Sequence, residues 1–177
     1  MTTDVAEQLT QFLTFKLGGE VFAVDVSQAQ EVLEVTTITR VPKTPEFMTG
    51  VINLRGRVVP VVDLRLKFGM EKAERTIDTC IIVMEVYLDE EKVVLGTLVD
   101  SVQEVVDQEP GQIEPPPRIG TNLNTDFIRG MGKRDDHFMI ILDINKIFSV
   151  EEITIVKKTE RTVPGGNAAE IEQAATR

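Results

Sequence analysis

The stretch TPEFMTGVINLRGRVVPVVDLR, residues 44–65, decides the fold of this chain. Its apolar runs are short, rich in Val and Ile, and bounded by turn residues, which is typical of β-strands. They predict strands at 50–53 and 57–63, joined through Leu-Arg-Gly at 54–56, where glycine permits a positive φ. A threonine N-cap, a proline at the first helical position and a glycine stop predict one or two helical turns over 44–50.

Parts of this stretch recur once along the chain. FMTG at 47–50 returns as FIRG at 127–130, and VDLRLKF at 62–68 returns as LDINKIF at 142–148, the same interval. QEVLE at 30–34 returns as QEVVD at 103–107, after a shorter interval. Three matches in the same order predict an internal duplication. A copy of about 70 residues suits a five-stranded barrel, and two barrels side by side would leave a groove between them.

The rest of the chain continues the β pattern. Further strands are predicted at 11–17, 20–25, 79–87, 93–99, 101–106 and 137–142. SVEE at 149–152 forms a capping box that predicts a short helix, although the β-branched residues after it favour a strand. We therefore expect an all-β protein with few short helices: a first barrel at 10–78, a second at 79–155 and a mobile tail at 156–177.

Charge argues against two classes of partner. The chain has 19 Lys and Arg against 29 Asp and Glu, a net charge of -10. Such a chain repels phosphate backbones and anionic lipid surfaces, which makes nucleic acid and membrane poor candidates. The N-terminus lacks a basic region followed by an apolar one, and no apolar run is long enough to span a membrane. We expect a cytoplasmic protein.

No stretch of the sequence predicts catalysis. The single histidine, His137, follows two aspartates at the start of a strand and is expected to be a solvated turn residue. The single cysteine, Cys80, lies in an apolar run and is expected to be buried. GMGK at 130–133 lacks the spacing of a phosphate-binding loop and favours a glycine-rich hairpin. No metal or cofactor site is predicted, so elimination favours a binding function, with an enzyme of unknown type as the alternative.

The order of residues around the opening stretch resembles one family closely. NLRG at 53–56 followed by PVVDLR at 60–65 is similar to CheW-type chemotaxis coupling proteins, and FLTFKLG, VDV and QEV extend the match upstream. VDSV at 99–102 and FIRGMG at 127–132 extend it downstream, so the resemblance covers about residues 10–150. It implies two five-stranded SH3-like β-barrels and no enzyme activity. It also implies an adaptor that couples the cytoplasmic tip of a chemoreceptor to the regulatory domain of the CheA histidine kinase.

The resemblance also implies two binding surfaces. The residues implied for the receptor groove are Val26, Ala29, Glu31, Arg55, Val99 and Val102. Those implied for the kinase surfaces are Ile38, Val41, Met48 and Gly50 on the first barrel and Glu114, Pro117 and Ile119 on the second. A strip of Val and Ala can take the apolar face of a partner helix. Strand alternation alone leaves open whether Val26 and Val102 face that groove or the interior of their own barrel.

Within the implied receptor groove, Arg55 and Glu31 are predicted to form an ion pair. A guanidinium can hold a carboxylate bidentately and still offer donors to a partner. The alternative is that both are solvated charges, as exposed arginines and glutamates usually are.

Three other functions compete with the adaptor. The regulatory domain of CheA itself would need kinase motifs, and a CheV-type adaptor would need an acidic receiver domain, and this chain has neither. An SH3-like or OB-like nucleic-acid binder would need basic grooves and aromatic platforms. With no Trp and one Tyr, the sequence does not support that class.

Overall fold

The computed structural model describes residues 10–88, 90–116, 126–134, 136–149, 151–152 and 154–156. The strands in this part of the chain are β1 (Thr10–Leu17), β2 (Glu20–Asp25), β3 (Ala29–Glu34), β4 (Met48–Leu54), β5 (Arg57–Asp63), β6 (Cys80–Leu88), β7 (Glu91–Val99), β8 (Ser101–Gln108), β9 (Ile113–Glu114), β10 (Ile128–Arg134) and β11 (His137–Leu142). The helical segments are α1 (Leu64–Lys67), 3-10 turns at Val26–Gln28, Pro110–Gln112 and Ile144–Lys146, and residues 151–152 and 154–156. The predicted all-β class with few short helices is confirmed.

The strands form two sheets of the same design. We call the sheet ordered β3-β6-β7-β5-β4 barrel I and the sheet ordered β8-β1-β2-β11-β10 barrel II, to which the short β9 adds at β10. Each barrel has one parallel pair, β5 with β7 in barrel I and β11 with β2 in barrel II, and otherwise antiparallel pairs. The prediction of two five-stranded SH3-like barrels is confirmed.

The register of the sheets confirms the internal repeat. Val61 lies opposite Gly96 in barrel I, and Ile141, which is the repeat equivalent of Val61, lies opposite Ala23 in barrel II. The β4–β5 and β10–β11 hairpins carry a bulge at the same step. In both copies the aspartate that ends or follows the second strand donates its amide to a phenylalanine carbonyl, Asp63 to Phe47 and Asp143 to Phe127, each at 2.8 Å.

The two repeats exchange strands, so sheet membership does not follow chain order. Barrel I takes β3, β4 and β5 from the first repeat but β6 and β7 from the second. Barrel II takes β8, β10 and β11 from the second repeat but β1 and β2 from the first. The predicted boundary between residues 78 and 79 therefore separates the two repeats but not the two barrels. Short crossovers at 26–28 and at residue 100 carry the chain from one barrel to the other.

The glycine of the repeated Phe-x-x-Gly motif has a steric role. In barrel I the segment between β3 and β4 pairs with β4 through Thr39 and Val51. In barrel II the corresponding pairing is that of β9 with β10. A side chain at Gly50 would collide with the Thr39 carbonyl, and Gly50 also has a φ of 150°. A side chain at Gly130 would collide with Ile113. Each glycine thus allows the crossing segment to lie against the barrel wall.

Three apolar clusters make up most of the core. One fills barrel I, one fills barrel II, and the largest lies between the barrels and draws side chains from both. This central core includes Phe15 and Leu17 from β1 and Met84 from β6, none of them exposed. Burying such side chains contributes roughly 1.5–3 kcal/mol each. Cys80, predicted to be buried, is half-buried against the central core.

Of two local predictions near glycines, one was wrong and one is confirmed. Residues 44–50 form a turn rather than a helix: the Met48 amide donates to the Pro45 carbonyl at 2.9 Å, and β4 begins at Met48. The reason is that Met48 already pairs with Val62 in the sheet. The glycine-rich hairpin predicted at 130–133 is present: Gly130 and Gly132 lie on β10, which pairs with β11, and neighbouring side chains crowd both glycines.

The predicted capping box is confirmed at the C-terminal end of the described chain. The Ser149 amide donates to Glu152 at 2.8 Å, and the Glu152 amide donates to the Ser149 hydroxyl at 3.1 Å. Glu152 also pairs with Lys67 at 2.6 Å, which fastens this helical segment to α1. Val156, the first residue of the predicted tail, is buried in the central core. The rest of that tail, 157–177, lies outside the described residues.

Candidate functional site

The predicted receptor residues lie at the two crossovers between the barrels. Val26 opens the 3-10 turn between β2 and β3, and Ala29 begins β3. Val99 ends β7 and Val102 is the second residue of β8. Val26 and Val99 are separated by the same interval as Ala29 and Val102, the interval of the repeated Gln-Glu-Val motif. The two halves of the predicted groove are therefore equivalent positions of the internal repeat.

Burial divides these apolar residues into two groups. Val26, Ala29 and Val102 are half-buried, and the last two pack against the central core. Val99 is 1% exposed and belongs to that core, so its side chain is not available to a partner. Both faces of β7 are covered near its end: Leu98 faces the core of barrel I, and Val99, on the other face with Leu95, faces the central core.

Two exposed valines were missing from the predicted groove. Val32 on β3 is 42% exposed and Val105 on β8 is 49% exposed, and they occupy equivalent repeat positions. They lie opposite Ile82 and Leu13, which belong to the central core. The signal in the sequence was their spacing, three residues after Ala29 and Val102, with charged residues around them. For Val32 no strand had been predicted, whereas Val105 lay in the predicted strand 101–106, whose exposed face the sequence did not show.

The predicted ion pair between Arg55 and Glu31 is present. Arg55 Nη2 donates to both carboxylate oxygens of Glu31 at 2.9 Å, so a single nitrogen makes the contact rather than the expected two-nitrogen fork. Arg55 and Gly56 form the β4–β5 turn with φ of 51° and 85°, as a type I′ turn requires. The Gly56 amide donates to Asn53 Oδ1 at 2.8 Å and fixes the turn. Arg55 is 72% exposed, so its guanidinium remains accessible to a partner.

Barrel II has a second arginine–glutamate pair, which the sequence did not predict. Arg134 Nη2 lies 3.0 Å from Glu104 Oε1, and Glu104 is the repeat equivalent of Glu31. Arg134 corresponds to Leu54, one residue before Arg55. The shift by one residue concealed the correspondence in the sequence.

An ion pair pins the second crossover. Arg65 Nε and Nη2 donate to the two carboxylate oxygens of Asp100, both at 2.8 Å, and the Gly18 amide donates to the same carboxylate at 2.7 Å. Burial is the largest influence on the pKa of Asp100 and raises it, but these hydrogen bonds together lower the pKa below its usual value. Asp100 thus holds α1 and the β1–β2 turn against the crossover that carries Val102.

A neutral equivalent pins the first crossover. Asn145, the repeat equivalent of Arg65, accepts hydrogen bonds from Gln28 Nε2 at 3.0 Å and from the Tyr87 amide at 2.9 Å. Gln28 also donates to the Glu85 carbonyl at 3.2 Å. Each crossover is therefore fixed by a residue that follows the last strand of a repeat, Arg65 after β5 and Asn145 after β11. These contacts hold the backbone of the predicted groove residues in place.

The predicted kinase residues differ in their accessibility. Ile38 and Val41 are half-buried, Ile38 against the core of barrel I and Val41 against Val51 and Val58. Met48 is 5% exposed and Gly50 is buried under the segment that closes the barrel, so neither offers a surface to a partner.

On barrel II, Glu114 is exposed on β9. Pro117 and Ile119 lie outside the described residues.

A family model for the CheW-like domain matches residues 11–152 of this chain. The chain belongs to the CheW family. The predicted resemblance to CheW-type coupling proteins is thereby confirmed, over the range in which the two barrels and both crossovers lie.

Relatives in the CheW family match along most of their length. The chemotaxis protein CheW of Klebsiella aerogenes is 35% identical over 152 residues, 86% of this chain and 89% of its own. CheW of Thermotoga maritima is 35% identical over 156 residues, 85% of this chain and 95% of its own. The crystal structure of the scaffolding protein TtCheW from Thermoanaerobacter tengcongensis has a TM-score of 0.71 and 37% identity, and covers 81% of this chain and 94% of that one. Within the described residues, no helix is long and apolar enough to cross a membrane.

Proposed function

We propose that this chain is a non-catalytic cytoplasmic adaptor that couples a chemoreceptor to the CheA histidine kinase. The observation that carries the proposal is the set of partly exposed apolar residues at the first crossover and on β3, Val26, Ala29 and Val32, of which Ala29 packs against the central core, while Glu31 of the same strand is paired with Arg55. A strip of this kind takes the apolar face of an amphipathic helix, and the flanking ion pair offers polar contacts to the same helix. The family relationship supports a receptor tip as the source of that helix.

The kinase surface is proposed to lie elsewhere on barrel I. Ile38 and Val41 follow β3 and are partly exposed, whereas the receptor strip runs from the 3-10 turn at Val26 into β3. Two surfaces on one rigid barrel allow the adaptor to hold two partners at once. Glu114, Pro117 and Ile119 are proposed to supply the corresponding contact on barrel II. The net charge of -10 supports protein partners over nucleic acid or anionic membrane.

The test places a carboxylate on each surface separately. Ala29→Glu is expected to weaken capture by a receptor cytoplasmic fragment from the same genome, because a charge would be desolvated against a helix. Ile38→Glu is expected to weaken co-purification with the CheA regulatory domain while receptor capture persists. Ile77→Glu is the matched control, because Ile77 is 98% exposed in the connection between the repeats.

Thermal melts show whether each variant remains folded before its binding is compared. Equal loss of both partners in a folded single variant would contradict separate surfaces. Wild-type capture of both partners by the Ala29 and Ile38 variants would contradict the assignment of these residues.

A further inference from the structure

One end of barrel II contains a cleft that the adaptor function does not use. Its volume is about 660 Å³, and all five strands of the barrel contribute to its lining. Phe12, Ala23, Val106 and Met139 pack inside this barrel, and Gly132 lies opposite Met139. Since side chains alternate along a strand, residues at even spacing from these face the same interior. At the cleft these residues are Thr14, Lys16, Val21, Glu104, Arg134 and His137.

The cleft is open because the two equivalent hairpins differ in length. The β6–β7 hairpin of barrel I extends to a pair between Leu88 and Glu91. Within it, Tyr87 and Lys92 bind Glu85, at 3.1 Å and 2.7 Å. Gly96 and Ala23 are equivalent positions, because each lies opposite the equivalent residue of β5 or β11. The last paired residue of the β6–β7 hairpin lies five positions before Gly96, whereas that of the β1–β2 hairpin lies three positions before Ala23. The β1–β2 hairpin therefore turns two residues earlier, through Gly18-Gly19. Glycines have no side chain with which to cover the end of barrel II.

The charge at this end of the barrel is reversed between the two copies. Lys16 occupies the position that Glu85 has in barrel I, where Glu85 is held by Lys92 and Gln30. Within the described chain, no carboxylate oxygen lies within 4.0 Å of the Lys16 ammonium. Arg134 is neutralised by Glu104. The interior of the cleft thus has two cations against one carboxylate, in a chain with a net charge of -10.

The rim of the cleft combines apolar and acidic residues. Phe138 is 46% exposed, and Met131 beside it is half-buried. Glu20 and Asp136 lie at the hairpin turns and are exposed. A ligand with several carboxylates would be repelled by these two side chains, whereas one carboxylate could pass between them to Lys16.

We propose that this cleft binds a segment of a partner protein that carries one carboxylate side chain next to an apolar one. Lys16 binds the carboxylate, and Phe138 and Met131 pack against the apolar neighbour. In barrel I, Glu85 occupies the position of Lys16 and is paired with Lys92. In barrel II the charges are exchanged: the cation is Lys16, and the carboxylate of the bound segment takes the place of Lys92. The site is distinct from the receptor strip and from Ile38 and Val41, so it does not depend on the proposed function.

The test uses a short probe and the full-length chain. The probe is acetyl-Glu-Phe-amide, and its uncharged counterpart is acetyl-Gln-Phe-amide, each titrated by heteronuclear NMR. The expected result is amide shifts confined to barrel II around Lys16, Glu104 and His137 with the glutamate probe. Lys16→Gln should weaken binding about tenfold, the size of one charge-assisted contact. Lys16→Arg should retain binding, and Lys92→Gln in barrel I is the matched control that should leave it unchanged.

Four outcomes would overturn the proposal. They are equal binding of the glutamine probe, unchanged affinity in a folded Lys16→Gln variant, shifts centred on barrel I, and no shift up to the solubility limit of the probe.

Discussion

Barrels I and II have the same strand order, but the side chains that fill their interiors and the segments that close them differ. Inside barrel I, Ile81 lies so close to Gly96 that an added Cβ there would be 2.8 Å from Ile81 Cγ2. Barrel II has the larger Phe12 and Ala23 at the equivalent positions. Barrel II offsets its larger side chains with Gly132, where an added Cβ would lie 2.6 Å from Met139 Cε. The comparison shows that duplication preserved the backbone requirements while side-chain volume was redistributed within each core.

The strongest backbone requirement that the two barrels share is the glycine of the Phe-x-x-Gly motif, Gly50 in barrel I and Gly130 in barrel II. Gly50→Ala should destabilise the protein by about 3 kcal/mol or more, because the new Cβ meets the Thr39 carbonyl and the residue keeps a positive φ. Gly130→Ala should cost less, because its φ is not positive and the nearest atom belongs to the Ile113 side chain. Urea denaturation measures both, with Gly19→Ala as the control that has no neighbour within 4 Å. A larger loss at Gly130 than at Gly50 would reverse this ranking.

The contribution of Asp100 to stability at the second crossover should depend on pH, and the contribution of Asn145 at the first crossover should not. Asp100 has a folded pKa below its usual value, so its contribution is present above the unfolded pKa, near 3.8, and is lost as pH falls through the folded pKa. Asp100→Asn should reduce the free energy of unfolding by about 1–2 kcal/mol at pH 7, with the difference shrinking below pH ~4. Asn145→Ala should give a loss that is independent of pH in that range. Denaturation at several pH values checks both, and a constant loss for Asp100→Asn would contradict the linkage.

The two arginine–glutamate pairs should differ in function more than in stability. All four side chains are partly or largely exposed, so each single alanine variant should change stability by about 0–1 kcal/mol. Arg55→Ala and Glu31→Ala should each weaken receptor capture, and their double variant should be non-additive because the two side chains touch. Arg134→Ala and Glu104→Ala should affect receptor capture less. Additive losses in barrel I, or equal losses in both barrels, would remove the special role of the Glu31–Arg55 pair.

The smallest expected effect is that of cutting the chain between its repeats. Residues 71–78 are all exposed, and a protease site inserted there should be cleaved readily. Because each barrel contains strands of both repeats, the two pieces should remain together at full-length size with an unchanged circular dichroism spectrum. Gel filtration after cleavage measures this. Two separately folded pieces would show that the barrels are not interleaved.

Much of the fold was predictable because strand patterns and turn residues are local. The predicted strands 20–25, 57–63 and 137–142 match β2, β5 and β11 residue for residue. The strands β3 and β10 were not predicted: β3 has charged residues at Glu31 and Glu34, and β10 has two glycines and three basic residues, so neither shows a clear apolar run. Both are stabilised by pairing with apolar neighbours on adjacent strands, which for β3 are distant in sequence.

The candidate site was predictable in part. The Glu31–Arg55 pair followed from the family resemblance, and so did the partly exposed Val26, Ala29 and Val102. The burial of Val99 and Met48 did not, because a strand pattern gives two faces without showing which one a second barrel covers.

The sequence by itself determined the all-β class, the duplication and the family, because each of these leaves a local pattern of residues. Only the tertiary structure decided which copy of each strand pairs with which, and hence that β1 and β2 complete barrel II while β6 and β7 complete barrel I. The physical reason is that equivalent strands of two repeats present nearly the same hydrogen-bonding edge and apolar face. The choice between them depends on the central core, which forms only when both barrels are in place.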